Sequence, residues 1–232
     1  MEVSRHSNLN LSLGKAALSR YLVHQLNHFF PDANTLTQSE VSPVVEEALE
    51  RLEHCFKHIQ LKYFSENRTV VFNHLNSDHY AMFLYWVSNT AYKRFANENL
   101  ATKSFYLNKA MHGVDCFYAV SLPEIFLFVH PVGSVIGNAH FEDYFVVYQN
   151  CTIGSTDKGI YPTFSKETML YSGVSVIGEC HIGENVIFGA NTKWLNQAVE
   201  SHSVVLGAHP NNRIVANQKS IKNDIFNDKQ PL

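Results

Sequence analysis

Phe164–Trp194 reads FSKETMLYSGVSVIGECHIGENVIFGANTKW, and its bulky apolar residues Phe164, Leu170, Val176, Ile182, Phe188 and Trp194 each stand six after the last. Four residues beyond each of them stands a small or β-branched side chain: Thr168, Val174, Cys180, Val186, Thr192 and Ala198. A helix repeats every 3.6 residues and a strand every 2, so neither explains a period of six; the pattern predicts short strands wound into a solenoid. Its narrow interior takes one large side chain per face, with a small neighbour at the corner. Each coil covers the apolar surface of the coil below, so stability accumulates between neighbours.

The same phase extends upstream through Val129, Val135, Phe141, Val147 and Ile153, with Gly133, Ala139 and Cys151 four residues on and Phe145 as the bulky exception. Glycines 137, 154, 178, 183 and 189 suit tight turns. Eleven residues separate Ile153 from Phe164, one hexad plus five, so the stretch Ser155–Thr163 is expected to bulge out as a loop. Loops that interrupt a rigid scaffold are frequent seats of chemistry.

Further upstream the period is helical. Leu18, Leu22, Leu26 and Phe29 mark one helix over about 12 to 30, closed by Pro31. Ser42 as N-cap, Pro43 and the carboxylates of Glu46 and Glu47 predict a second helix running to about Phe64. Segments near 77 to 96 and 100 to 113 continue the pattern, the last stopped at Gly113. The expected organisation is α+β: an N-terminal α-helical domain, residues 1–114, then the solenoid domain with a C-terminal tail, residues 115–232.

Composition narrows the function. Hydrophobic residues at 45% and charged residues at 17% fit a folded globular chain, and a net charge of -3 gives no field that would gather nucleic acid. The apolar run Ala81–Val87 is too short for the ~20 residues that cross a bilayer, and the polar start offers no signal peptide, so a cytoplasmic protein without a membrane span is expected. Cys55, Cys116, Cys151 and Cys180 lack metal or disulfide spacing and read as reduced thiols. His54 and His58 are four apart, with no third ligand in view, so no metal site is expected.

The stretch GVDCFYAVSLPEIFLFVHPVGSVIG, Gly113–Gly137, with QNCTIG and the terminal LGAHPNNRIV, resembles the serine acetyltransferases among the hexapeptide-repeat acyltransferases. That resemblance implies a left-handed parallel β-helix, acetyl-CoA as co-substrate, and a homotrimer or dimer of trimers with active sites between subunits. It places His130 on the family's catalytic histidine and Asp115, fifteen residues earlier, on the carboxylate that orients it. Imidazole, titrating near pH ~6.5, is suited to take the proton of an attacking hydroxyl near neutrality. By position Gly154, Ser155, Ser172 and Ala190 match the groove that takes the pantetheine arm, and Lys193 and Arg213 could meet its phosphates.

Two departures bear on the acceptor. Val129 stands where the family has an aspartate, and Gly159, Ile160 and Tyr161 stand where it has Asp-Arg-His. An arginine that forks onto a carboxylate is not replaced by isoleucine. Tyr161, Tyr148, Tyr171 and Asp157 suit a polyhydroxylated acceptor instead, since aromatic rings stack on sugar faces. The expectation is O-acetylation of a sugar hydroxyl in surface-polysaccharide assembly, with L-serine second and a sugar amine third. A non-catalytic trimeric scaffold and a metal-dependent hydratase are the competing classes.

Overall fold

The computed structural model describes residues 9–227. Its first half is built from β1 (Leu9–Leu11), α1 (Lys15–Phe29), α2 (Gln38–Lys57), β2 (Ser65–Glu66), β3 (Thr69–Phe72), α3 (Ser77–Phe95) and α4 (Glu98–His112). The four helices fall close to where the apolar periods put them, but α2 begins earlier than Ser42 and ends at Lys57, a full turn or more before Phe64. Thr37 caps it in a reciprocal box with Glu40, which satisfies two orphan donors and leaves Pro43 inside the helix. Gly113 closes α4 in the left-handed conformation, φ +67°, as expected. The small sheet β1-β3-β2 has no counterpart in the sequence reading.

Helix α3 is the hub. Every residue from His79 to Ala91 is buried, so the helix is covered all round rather than along one stripe. Its aromatic side chains reach the entry to the solenoid: Tyr85 and Trp86 pack on Phe126 at 5.4 Å, and the Tyr85 hydroxyl donates to Val120 O and accepts from Leu122 N. Arg51 of α2 lies over the Trp86 ring at 3.9 Å and pairs with Glu124.

The solenoid winds through β4 (Asp115–Cys116) and β5 (Phe126–Phe128); β6 (Val135–Ile136), β7 (His140–Phe141) and β8 (Phe145–Val147); β9 (Thr152–Gly154), β10 (Thr163–Phe164) and β11 (Thr168–Leu170). It continues through β12 (Ser175–Ile177), β13 (His181–Ile182) and β14 (Val186–Phe188), then β15 (Lys193–Leu195) and β16 (Ser203–Leu206). Corresponding strands of successive coils pair in parallel, giving sheets β4-β6-β9-β12-β15, β5-β8-β11-β14-β16 and β7-β10-β13. This is a parallel β-solenoid of about five turns. The loop 155–162 leaves the coil between β9 and β10, where the eleven-residue interval predicts it.

From Phe141 onward the hexad residues point inward, and Phe141 stacks on Phe164 at 5.4 Å. The first two positions differ. Val135 is 44% exposed while Ile136 is buried and registers with Ile153, and buried Phe128, not Val129, registers with Val147. Two irregular intervals cause this: Ile136 stands only five residues before Phe141, which moves the inward place from Val135 to Ile136, and the corner between Phe128 and Ile136 is long, which moves it from Val129 to Phe128. Residues 129–134 join β5 to β6, whereas residues 148–151, 171–174 and 189–192 make the corners stacked above, so the first is two residues longer. At its end Ser134, not Gly133, turns inward, and its hydroxyl is satisfied by Tyr148 O at 2.9 Å. At the far end Ala198 is likewise exposed rather than inward.

After β16 the chain reverses into antiparallel β17 (Arg213–Ala216) and ends in α5 (Ile221–Ile225). This tail returns to the helical half. Phe226 is buried and bridges to Ile59, and Asn227 N donates to His58 O at 2.7 Å.

Candidate active site

The long corner carries His130. Its backbone takes φ +47°, a left-handed value costly for a side chain with a Cβ, and its ring is 75% exposed. The ring faces the start of α3. There Asn76 caps the helix, its Oδ1 accepting from Asp78 N at 3.0 Å and His79 N at 3.2 Å. Asp78 in turn holds the corner: its Oδ1 accepts from His130 N at 3.1 Å, and its Oδ2 lies 3.5 Å from His130 Nδ1. Between them opens a cavity of about 110 Å³ lined by Leu61, Tyr63, Phe64, Asn76, Asp78 and Leu127–His130.

Asp115 lies elsewhere in the hydrogen-bond network. Its Oδ2 is 2.6 Å from Lys109 Nζ, and that contact holds the ammonium of Lys109 above its ordinary range. Among the described residues no hydrogen bond or ion pair joins Asp115 to His130, so the dyad implied by the resemblance is not formed within this chain. The physical reason is competition at both ends. Lys109, in the last turn of α4, occupies the carboxylate, and the lengthened corner turns the imidazole toward α3. Asp115 instead borders a larger cavity of about 300 Å³ with Phe117, Ala119, Val120, Val135–Asn138 and Tyr161. Tyr161 enters because Gly137 leaves room: a Cβ there would sit 2.4 Å from the tyrosine ring.

The remaining expected site residues are dispersed. Tyr148 packs on Tyr171 at 5.1 Å, and burial pushes its phenol above the ordinary value, but no ring contact joins either to Tyr161 among the described residues. Asp157 is exposed on the loop 155–162. Ser172 and Ala190 stand one above the other on stacked corners, where Asn191 N donates to Ser172 O. Lys193 reaches back from the next strand, its Nζ donating to Gly173 O at 3.2 Å and Ser175 Oγ at 3.0 Å. Gly154 and Ser155 lie at the opposite end of that sheet, beside Ile177, and Arg213 is exposed on β17.

The sequence reading missed Asp78 and Lys109. Asp78 looks like an ordinary first-turn carboxylate of α3, and nothing local connects it to a histidine 52 residues away. All four cysteines are free and buried, and burial drives the Cys55 thiol up to about 12, so none is a ready nucleophile. Among the described residues no cluster of three or more His, Cys, Asp or Glu could hold a metal, and no helix is long and apolar enough to cross a membrane.

No family model matches the chain. In sequence, 104 residues are 32% identical to a serine acetyltransferase of Synechococcus elongatus, covering 43% of this chain and 43% of that protein. The chain thus spans less than half the length of that curated relative. A serine acetyltransferase structure from Vibrio cholerae matches with a TM-score of 0.68 over 90% of this chain and 81% of that one, at 25% identity. A serine acetyltransferase solved in complex with CoA shares the fold, with a TM-score of 0.63 over 87% of this chain and 84% of that one, at 20% identity. Period, winding and likeness agree: the chain is a β-solenoid of the hexapeptide-repeat type and has the serine acetyltransferase fold.

Proposed function

We propose that the chain is an acetyl-CoA-dependent O-acetyltransferase acting on the hydroxyl of a small acceptor, L-serine first, with His130 as general base. The observation that carries this is the placement of His130: an exposed imidazole on the corner that breaks the repeat, beside a carboxylate and bordering with it a cavity of about 110 Å³. That volume suits a small amino acid better than a sugar. The tyrosines and Asp157 that favoured a polyhydroxylated acceptor are not gathered around one cavity, and the relatives named above are serine acetyltransferases. The sugar acceptor and its polysaccharide pathway therefore give way to the serine reading.

With Nδ1 directed at a carboxylate, Nε2 is the nitrogen left to take the acceptor's proton as its oxygen attacks the thioester carbon. The tetrahedral intermediate then expels the CoA thiolate, which recovers the proton from the imidazolium. A relative of this fold is solved with CoA, and residues here fit such a ligand. Small Ser172 and Ala190 leave space along one edge, and Gly154 and Ser155 do so along the other. Lys193 Nζ keeps a donor beyond its two contacts, and Arg213 is exposed. Exposed apolar side chains Phe117, Val132, Val135 and Ile160 support burial against further copies of the chain, as a homotrimer or dimer of trimers. Four free thiols suit the cytosol, where acetyl-CoA is available.

The test is an acceptor screen with acetyl-CoA that follows thiol release, comparing L-serine with free sugars and nucleotide sugars. Turnover with L-serine is expected, and His130→Ala lowers it by roughly 10²-fold or more with the fold intact by circular dichroism. Unchanged turnover in that variant removes His130 from the mechanism. Absence of any acetyl-CoA binding heat in calorimetry leaves a non-catalytic scaffold.

A further inference from the structure

We infer that Asp78, contributed by the helical half, is the positioning carboxylate of His130, in the place that the resemblance assigns to Asp115; this rests on His130 being the base proposed above. One carboxylate touches the histidine twice, accepting from its main-chain N–H at 3.1 Å and facing its ring Nδ1 at 3.5 Å. The first contact is made. The second is within ion-pair reach and long for a hydrogen bond, and small rotations of a ring that is 75% exposed bring it into range. Catalytic hydrogen bonds commonly tighten only once substrate is bound.

The platform behind Asp78 is rigid. Asn76 fixes Asp78 N, and the helix that follows is buried along His79–Ala91, so the carboxylate is anchored in the core while the histidine is not. Its charge sits in the first turn of α3, where the helix dipole favours an anion. Only 16% of the side chain is exposed, which limits competition from water. The main-chain contact also explains how a histidine is kept at φ +47°: it ties down a left-handed corner that stacks on no equivalent residue above it. Asp115 already has a partner in Lys109 at 2.6 Å.

The consequence is a base oriented across the junction of the two halves. An Asp78 carboxylate accepting from Nδ1–H fixes the tautomer with Nε2 free, the state a general base needs. The role is distinct from simply holding the corner, because asparagine at 78 can still accept from His130 N through its amide oxygen but can present an N–H, rather than a second acceptor, to the ring.

The experiment uses the full chain in three variants, Asp78→Asn, Asp78→Glu and Asp115→Asn, with His130→Gln to identify the His130 resonances. In nitrogen-15 spectra of the imidazoles, neutral wild-type His130 is expected mainly as the Nδ1–H tautomer. Asp78→Asn shifts it toward Nε2–H, while Asp115→Asn leaves the wild-type tautomer. In steady-state kinetics Asp78→Asn lowers kcat by about 10²-fold with KM changed less than about threefold, Asp78→Glu recovers part of the loss, and the Asp115→Asn loss is at least about tenfold smaller. An unchanged tautomer in Asp78→Asn, or an Asp115→Asn loss as large as that of Asp78→Asn, overturns the assignment. If the wild-type chain turns over no acceptor, the proposed function fails, and the tautomer still decides whether Asp78 orients the ring.

Discussion

The corner at residues 129–134 and the corners stacked above it do the same geometric job with different contents. The later ones are short, close on small residues and repeat the same backbone hydrogen bonds from coil to coil, as with Gly173 N to Gln149 O and Asn191 N to Ser172 O. The first is two residues longer, carries a histidine in a left-handed conformation and is tied to α3 by Asp78. In a nearest-neighbour fold, interchangeable units supply stability. Val132 O still accepts from Asn150 N in the corner ladder, but the two added residues, His130 and Pro131, have no equivalent in the coil above, so they are free to face another part of the molecule.

The comparison breaks most sharply if His130 and Pro131 are deleted together, leaving a corner of the same length as those above. The solenoid is expected to form, since Val132, Gly133 and Ser134 already stack on residues 149–151. Turnover falls by about 10²- to 10⁴-fold, the range set by loss of a positioned base. Loss of structure by circular dichroism instead would mean that the two added residues hold the entry coil together.

The opposite manipulation attacks a regular coil. Phe188 is fully buried, pairs in register with Leu170 and Val205, and stands 6.3 Å from the ring of Trp194. Phe188→Ala is expected to cost about 3 to 5 kcal/mol in urea unfolding, because the neighbouring coils cannot collapse into the vacated volume. Turnover per folded molecule stays near wild type, the reverse of the corner deletion.

Acid provides a third contrast, between the halves. His79 and His112 are buried in the helical half, and desolvation holds both down to about 4. Unfolded imidazoles bind protons below about pH 6.5 while these do not, so stability is lost as pH falls from about 6.5 toward 4, at up to about 1.4 kcal/mol per pH unit for each ring. Urea unfolding at pH 7 and pH 5 should differ by roughly 1 to 2 kcal/mol per histidine. His79→Phe removes part of that difference; an unchanged difference assigns the acid sensitivity to other groups.

Much of the fold could be read in advance, for a reason visible in particular residues. The hexads from Phe141 to Trp194 are inward because one large side chain per face is the only way to fill the coil, and that constraint is written locally. The same count failed at Val135, where the interval from Ile136 to Phe141 is one residue short, and at Val129, where the corner that follows is two residues longer than those above; in each case another apolar residue, Ile136 or Phe128, stood one place away. Of the candidate site, His130 was marked by the resemblance over Gly113–Gly137, and its part as base is the proposal made above. Its contact with Asp78 was not legible, because that pairing depends on how the helices dock on the solenoid entry through Tyr85, Trp86 and Phe126. Long-range docking of two differently patterned halves leaves no periodic trace in either.

Asparagine gives the finest test, since the two halves use it for different physical ends. In the solenoid Asn196 sits at φ +49° and its Oδ1 accepts from Glu179 N at 3.0 Å on the coil below. Asn196→Ala puts a Cβ residue without a local hydrogen bond into the left-handed region and leaves Glu179 N without that partner, an expected cost of about 1 to 2 kcal/mol. In the helical half Asn97 caps α4, its Oδ1 accepting from Leu100 N at 3.0 Å with φ at -97°. Asn97→Ala loses only the cap, about 1 kcal/mol, with no conformational penalty. Glycine alone does not separate the two cases. Asn196→Gly recovers the conformational part of the alanine loss because it accepts the positive φ, while Glu179 N stays without its side-chain partner, and Asn97→Gly recovers most of its own because glycine is a fair cap. Valine discriminates: at 97 it behaves nearly as alanine, whereas at 196 the β-branch in a left-handed conformation costs more than alanine does. Equal losses for valine at both sites in urea unfolding would show that the solenoid corner relaxes its backbone, and that its left-handed turns are set by the side chain rather than by the stacked coil beneath.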